Sequence, residues 1–162
     1  MTLPESDLYR LQRAISLSVE ARAEGRHPFA ATVVAADGSV LAEAGNNSLP
    51  PHGDPTQHAE LRAAQAAFRA ASAAQLAGAT LYTSAEPCAM CAGAIYWCGI
   101  GRVVYALSER RLRELTGDHP ENPTFSLPCR EVFARGQRRI EVAGPALEEE
   151  AAAAHAGFWS RS

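Results

Sequence analysis

The chain has 162 residues, of which 47% are hydrophobic and 20% are charged, and this composition is ordinary for a globular domain and excludes a disordered chain. The net charge of −3 argues against a nucleic-acid partner, because proteins that follow a phosphate backbone usually carry a basic face. The apolar runs are too short for a membrane span, and the N-terminal segment is too polar for a secretory signal. We therefore expect a cytoplasmic protein with one domain over residues 1–162.

Hydrophobic spacing and turn residues predict alternating helices and strands along most of the chain. We predict helices over residues 6–24, 55–76, 88–98, 109–115 and 145–158, and strands over residues 28–36, 40–44, 79–84, 102–107 and 139–142. Asp37-Gly38 is a hairpin turn signal, and Asp54 as N-cap with Pro55 in the first helical position marks the start of the second helix. A hairpin followed by strand–helix alternation indicates a mixed sheet covered by helices on both faces.

Two short motifs carry the chemistry, His58-Ala59-Glu60 and Pro87-Cys88-Ala89-Met90-Cys91. The pattern H-x-E with P-C-x-x-C is the signature of zinc deaminases. A helix N-terminus favours the thiolate form of both cysteines, which is the form that a metal needs. One histidine and two cysteines leave a fourth position open, as in catalytic rather than structural zinc sites. The sequence therefore predicts one Zn²⁺ per subunit, held by His58, Cys88 and Cys91.

Glu60 is the candidate proton carrier. It lies two residues after His58, so that one helical turn supplies both a metal ligand and a carboxylate that points elsewhere. In this position the carboxylate can take a proton from the attacking water and return protons to a ring nitrogen and to the departing amine, after which ammonia leaves.

A C-x-x-C motif also occurs in redox pairs and in structural zinc ribbons. A ribbon needs a second C-x-x-C, which this chain lacks, and a redox pair gives no reason for the upstream H-A-E motif. Cys98 and Cys129 have no partner spacing, and we expect them to be free thiols.

From Phe29 to about Leu107 the chain resembles the cytidine deaminase-like superfamily. The resemblance implies an α/β fold, a three-layer α/β/α sandwich with a central mixed five-stranded sheet, and usually a homodimer. His58 as first ligand differs from the three-cysteine pattern of the cytidine salvage enzymes. The uninterrupted C-x-x-C differs from the riboflavin-pathway deaminases.

Several segments look like the guanine deaminase branch of that superfamily: Pro28–Ala30, Gly45–Asn47, Asp54–Glu60, Thr83–Cys88 and Gly93–Trp97. The resemblance implies that Phe29 stacks on the base and that Asn46 forms a hydrogen bond with it. It also implies that the backbone N–H of Ala59 contacts the carbonyl edge of the base.

The chain departs from that branch in two places. Ala30 replaces the glycine of its P-F-G segment, and no Gly-Phe-Asp segment follows the fourth predicted strand. In the region that replaces it, residues 109–125, Asp118, His119 or Glu121 are the candidates to read the substrate. We also expect the C-terminal segment, about residues 145–162, to close over the site.

The sequence therefore favours zinc-dependent hydrolytic deamination of an aminated heteroaromatic base or nucleoside, with a guanine-like purine preferred. A tRNA adenosine deaminase shares both motifs, but the acidic net charge and the Tyr96-Trp97 pair argue against it. A cytosine deaminase also suits the ligand spacing. A catalytically silent protein that is stabilised by zinc is the alternative outside enzymes, and the presence of Glu60 argues against it.

Overall fold

The computed structural model describes residues 2–160. The strands are β1 (Ala30–Val34), β2 (Val40–Gly45), β3 (Thr80–Ala85), β4 (Arg102–Leu107) and β5 (Glu141–Ala143). The helices are α1 (Glu5–Ala23), α2 (Ala59–Ala70), α3 (Ala73–Ala77), α4 (Ala89–Cys98), α5 (Glu109–Thr116), α6 (Cys129–Ala134) and α7 (Glu148–Ala153). Among the described residues, no helix combines the length and the apolar character that crossing a membrane requires.

The strands form one mixed five-stranded sheet in the order β2-β1-β3-β4-β5. β1 runs antiparallel to both β2 and β3, whereas β3, β4 and β5 are parallel. Every residue of β1 is buried, and α1 and α2 both pack against this strand. Both faces of the sheet centre are therefore covered, and the predicted α/β fold with a central mixed five-stranded sheet is confirmed.

The strand register brings one end of each of the strands β1, β2, β3 and β4 to the same edge of the sheet. Ala85 pairs with Leu107, so that the parallel strands β3 and β4 end side by side. Ala30 pairs with Gly45, which places the start of β1 and the end of β2 at the same edge, because β1 is antiparallel to β3. In open α/β sheets, ligands bind beyond the carboxyl ends of parallel strands.

The second helix begins later than predicted. Asp54 does use its side chain as a cap, accepting hydrogen bonds from the backbone N–H of Thr56 at 2.8 Å and from Gln57 Nε2 at 2.9 Å. These bonds close a separate turn, and α2 starts only at Ala59, with His58 as an extended N-cap residue. The predicted helix is also interrupted near its end, since a capping box between Ser72 and Gln75 starts α3.

The C-terminal helix is shorter than predicted, and one helix was not predicted. After α7 the chain continues in tight turns, in which the N–H groups of Ala154 and His155 donate three residues back, and Gly157 takes a left-handed φ of 70°. α6 is only six residues long. A helix of that length follows too few turns to show a hydrophobic period.

A partly buried ion pair joins α1 to the sheet. Asp7 on α1 accepts hydrogen bonds from the Tyr82 hydroxyl at 2.7 Å and from Arg102 Nη2 at 2.6 Å. The hydrogen bond from Arg102 is the main reason why the pKa of Asp7 is lowered. The network fixes the N-terminal helix on β3 and β4, away from the edge where the functional residues collect.

Candidate active site

The three predicted metal ligands meet at the carboxyl edge of the sheet. The ligand atoms of His58, Cys88 and Cys91 all lie within 4.8 Å of one another. His58 and Cys88 are the extended N-cap residues of α2 and α4, and Cys91 lies in the first turn of α4. The two helices pack against each other, and this contact brings the histidine to the cysteines.

The donor set fits zinc in both chemistry and spacing. Tetrahedral zinc with usual bond lengths separates a sulfur ligand from a nitrogen ligand by about 3.6 Å. Cys88 Sγ lies 3.6 Å from His58 Nδ1. The pKa of the Cys88 thiol is lowered to about 4, mainly because the Cys91 thiol donates a hydrogen bond to it. When bound, zinc supplies Lewis acidity that makes water reactive near neutral pH.

Glu60 lies beside this group in the first turn of α2 and is only 5% exposed. Its Oε1 lies 3.1 Å from the Thr83 hydroxyl, and its Oε2 lies 3.7 Å from Cys91 Sγ. Burial raises the pKa of Glu60 to about 6. A carboxyl group whose pKa is near the working pH both accepts and releases protons readily, which suits a proton carrier.

A cavity of about 550 Å³ opens in front of these residues. Its size is within the range of roughly 300–1,000 Å³ that is usual for small-molecule sites. His58, Glu60 and Cys88 lie in its wall, and its other polar wall residues are His27, Asn46, Ser48, Glu86, Glu109, Glu121, Asn122 and Thr124.

Asn46 presents a hydrogen-bond donor to the cavity. The side chain is 2% exposed, and its Oδ1 accepts from the backbone N–H of Ser48 at 2.9 Å and from the Ser48 hydroxyl at 2.8 Å. A backbone N–H can only donate, so the amide atom that faces Ser48 is the oxygen and the other is the nitrogen. Within residues 2–160, Asn46 Nδ2 has no hydrogen-bond partner, and its part in ligand binding stays a prediction.

Phe29 lies in the cavity wall and is supported from behind by the C-terminal segment. Its ring centroid lies 5.1 Å from that of His155 and 6.1 Å from that of Trp159. Trp159 Nε1 in turn donates to His155 Nδ1 at 2.9 Å, and its ring contacts His27 at 4.9 Å. In the described chain no cavity-lining residue comes after Phe125. Closure of the site by residues 145–162 stays a prediction, and its last two residues lie outside the described residues.

The structure does not place Asp118 and His119 in the cavity wall, and their neighbours Pro120–Phe125 line it instead. The reason is that α5 continues to Thr116, and the turn after it directs the His119 ring onto Trp159, at 5.2 Å. Glu121, the third candidate, does line the cavity and lies 3.3 Å from His27 Nε2. Ala59 is buried at the start of α2, and the role of its N–H remains a prediction.

Sequence analysis did not identify two buried acids in the wall, Glu86 and Glu109. Glu86 accepts hydrogen bonds from the backbone N–H of Glu109 at 3.0 Å and from that of Cys129 at 2.9 Å. It thereby ties the starts of α5 and α6 to the segment that carries Cys88. The only signal in the sequence was its position, between the end of a strand and the P-C-x-x-C motif.

Comparison with known proteins supports this interpretation of the site. Residues 4–107 match the family model of the cytidine and deoxycytidylate deaminase zinc-binding region. A probable cytosine deaminase of Schizosaccharomyces pombe is 44% identical over 157 residues, which are 97% of this chain and 94% of that protein. The guanine deaminase of Bacillus subtilis is 45% identical over 97 residues, or 59% of this chain and 61% of that protein.

A solved structure of a protein in complex with 2,6-diaminopurine is similar in fold, with a TM-score of 0.72 and 28% identity. The similarity covers 93% of this chain and 80% of that one. Since the family model spans most of the chain and a relative matches almost its whole length, the chain is a member of the cytidine deaminase-like family of zinc-binding deaminases.

Proposed function

We propose that this deaminase hydrolyses an amino group from a guanine-like purine, so that water oxygen replaces the amine on the ring and ammonia is released. The size of the cavity is the observation that carries the proposal. A single pyrimidine ring with its substituents has eight non-hydrogen atoms and fills less than about 240 Å³, if each atom takes at most the volume of a liquid water molecule. The cavity of about 550 Å³ has room for a two-ring base.

The polar groups of the wall suit such a ring. Asn46 Nδ2 offers a donor to a ring carbonyl oxygen, and Phe29 offers an aromatic face or edge to the base. The backbone N–H of Ala59 is proposed as a second donor to the carbonyl edge. These contacts would hold the ring so that the carbon bearing the leaving amine faces His58 and Glu60.

Glu60 carries the protons in the proposed reaction. It takes a proton from the attacking water as the oxygen bonds to the amine-bearing carbon, and it gives that proton to the adjacent ring nitrogen. It then takes the remaining proton of the new hydroxyl group and delivers it to the amine, so that the carbon–nitrogen bond breaks and ammonia leaves. The Thr83 hydroxyl, 3.1 Å away, stabilises the ionised carboxylate between these transfers.

The relatives support a purine and also favour a second candidate. The Bacillus subtilis relative is a guanine deaminase, and the similar solved structure holds 2,6-diaminopurine, another 2-aminopurine. The relative that matches almost the full length of the chain is a probable cytosine deaminase. Cytosine is therefore the alternative substrate. Its single ring would leave part of the cavity unfilled.

Ammonia release from zinc-loaded protein against guanine, guanosine, cytosine, cytidine, adenine, adenosine, a pterin and an aminotriazine tests the proposal. Turnover of guanine with a kcat/KM above that of cytosine is the expected result. Cytosine as the preferred substrate would replace the purine proposal by the alternative. If the zinc-loaded protein releases ammonia from none of these compounds, both the purine and the cytosine proposals are contradicted, and a base within RNA becomes the next substrate to test.

We also propose that two copies of the chain associate through the outer face of α4. Trp97 on this helix is 80% exposed, and indole rings are typical of interface centres. Sedimentation velocity should show a dimer that Trp97→Arg converts to monomer. The control Tyr9→Ser, which removes an exposed aromatic ring from α1, should leave the dimer intact. A monomeric wild-type chain would contradict this assignment.

A further inference from the structure

Glu109 is a buried acid in the cavity wall, and one of its two carboxyl oxygens lacks a hydrogen-bond partner among the described residues. It is the first residue of α5 and is 6% exposed. Its Oε2 has neither solvent contact nor a hydrogen-bond partner among the described residues. A buried acceptor that is left unpaired costs about 1–3 kcal/mol, so this arrangement needs an explanation.

The surroundings of Glu109 do not explain it as a structural residue. No cation of the described chain forms an ion pair with it, and the charged groups that act on it most strongly are Glu86, Cys88 and Glu60. The described chain therefore supplies no partner for Oε2, and burial alone gives this oxygen no structural task.

Glu86 provides an internal comparison. It is an equally buried acid in the same wall, but both of its oxygens accept from backbone N–H groups, those of Glu109 and Cys129. Glu86 therefore has a structural task that accounts for its burial. Oε2 of Glu109, in contrast, accepts from no other helix or loop of the described chain. Glu109 nevertheless lies next to Glu86 and lines the same cavity.

We infer that Glu109 is a specificity-determining residue, whose carboxyl group in the cavity wall accepts a hydrogen bond from an N–H or O–H donor of the substrate. The inference rests on the proposed function, since it assigns the second polar contact of the same ring. Asn46 donates to the substrate and Glu109 accepts from it, so that the pair reads a ring that carries both a carbonyl acceptor and a donor. A ring N–H and a sugar hydroxyl are the two sources of such a donor.

The first test compares Glu109→Gln with Glu114→Gln on the substrate that the wild type prefers. Glu114 lies on the same helix but is exposed and pairs with Arg111, so it controls for loss of a negative charge on α5. Glu109→Gln should lower kcat/KM by about 10- to 100-fold, as expected for loss of a hydrogen bond to a charged group, and Glu114→Gln should leave it unchanged. Equal kcat/KM in the two variants would overturn the inference.

Stability separates binding from a structural role. Because Gln removes a buried carboxyl next to Glu86, Glu109→Gln should unfold at the same or a higher denaturant concentration than wild type. If instead Glu109→Gln lowers both stability and kcat/KM, its carboxyl supports the fold, and the assignment is wrong.

Methylated purines identify the donor. Guanine, 1-methylguanine, 7-methylguanine, 9-methylguanine and guanosine are compared in wild type and Glu109→Gln. The donor is the position at which methylation harms the wild type but not the variant, since the two changes remove the same contact. A sugar hydroxyl donor instead makes guanosine better than 9-methylguanine only in the wild type. Penalties that are equal in the two proteins for every compound would overturn the inference.

If the wild type turns over only non-purine rings, the purine proposal fails, and the Glu109→Gln comparison is made on that ring.

Discussion

Thr83 Oγ1 lies 3.1 Å from Glu60 Oε1 and 2.7 Å from the backbone carbonyl oxygen of Ala85. A hydroxyl group has one proton, so it can donate to only one of these acceptors at a time. When Glu60 is ionised, Thr83 can donate to it. When Glu60 is protonated, Thr83 can donate to the carbonyl and accept from Glu60. The pair therefore keeps its hydrogen bond in both protonation states of the carboxyl group.

Removal of the Thr83 hydroxyl should slow turnover, although Glu60 is still present to carry the protons. Thr83→Val should lower kcat by about tenfold, the worth of one hydrogen bond, with little change in KM. Thr83→Ser restores the hydroxyl and should restore kcat. Steady-state kinetics of both variants check this, and a Thr83→Val enzyme with wild-type kcat would show that the contact is irrelevant to proton transfer.

Reversing the polarity of Asn46 should weaken substrate recognition. Asn46→Asp keeps the oxygen that accepts from Ser48 but replaces the free Nδ2 donor by an acceptor. We expect kcat/KM to fall by about 10- to 100-fold. Thermal unfolding of the variant is the control, since a large loss of stability would instead assign Asn46 to the fold. An unchanged kcat/KM would contradict the recognition role.

Loss of Trp159 should affect both stability and substrate binding. The ring packs on His27 and Phe29, which both line the cavity. Trp159→Ala should lower the free energy of unfolding by about 3 kcal/mol, as for other buried aromatic residues, and should raise KM because the wall behind the substrate loses its support. Tyr9→Ala, which removes an exposed ring, should do neither. A Trp159→Ala variant that is destabilised but has an unchanged KM would limit this residue to the fold.

The Asp7–Arg102 pair should make stability depend on acid pH. The pKa of Asp7 is lowered in the folded chain, mainly by the hydrogen bond from Arg102. The stabilisation is therefore complete above the unfolded pKa of about 4 and is lost as the pH falls through the lower folded value.

Asp7→Asn should consequently cost about 2 kcal/mol at neutral pH, and this difference from wild type should shrink below pH of about 4. Urea unfolding at several pH values measures it, with the exposed Glu5→Gln on the same helix as a control. A difference that stays constant down to the lowest pH would mean that the charge of Asp7 is not what stabilises the fold.

Local patterns in the sequence were sufficient for the elements with strong periodicity. β4 was predicted with the bounds that the structure shows, and α1 differs from its prediction by one residue at each end. The metal ligands were also predictable, because two short motifs carry all three of them. The start of α2 was not, since the hydrogen bonds of Asp54 can either cap a helix or close a turn, and only packing against the sheet decides between the two.

The acids of the cavity wall could not be predicted from sequence. Glu86 and Glu109 look like ordinary polar residues after strands, and they become neighbours only because Ala85 and Leu107 are paired in the parallel register. The sequence also does not show which residues of the 109–125 region reach the cavity. The length of α5 and the turn after it place Pro120–Phe125 in the wall, and a role of Asp118 or His119 in substrate binding stays a prediction.

The central claim is that this zinc-binding chain deaminates a ring with Glu60 as its proton carrier. Ammonia release with the preferred ring of the panel, measured side by side for wild type and Glu60→Gln with the zinc content of both, tests it most directly. We predict that both proteins bind one zinc per chain and that the variant is slower by at least about 100-fold. A zinc-loaded Glu60→Gln protein that releases ammonia as fast as wild type would contradict the account.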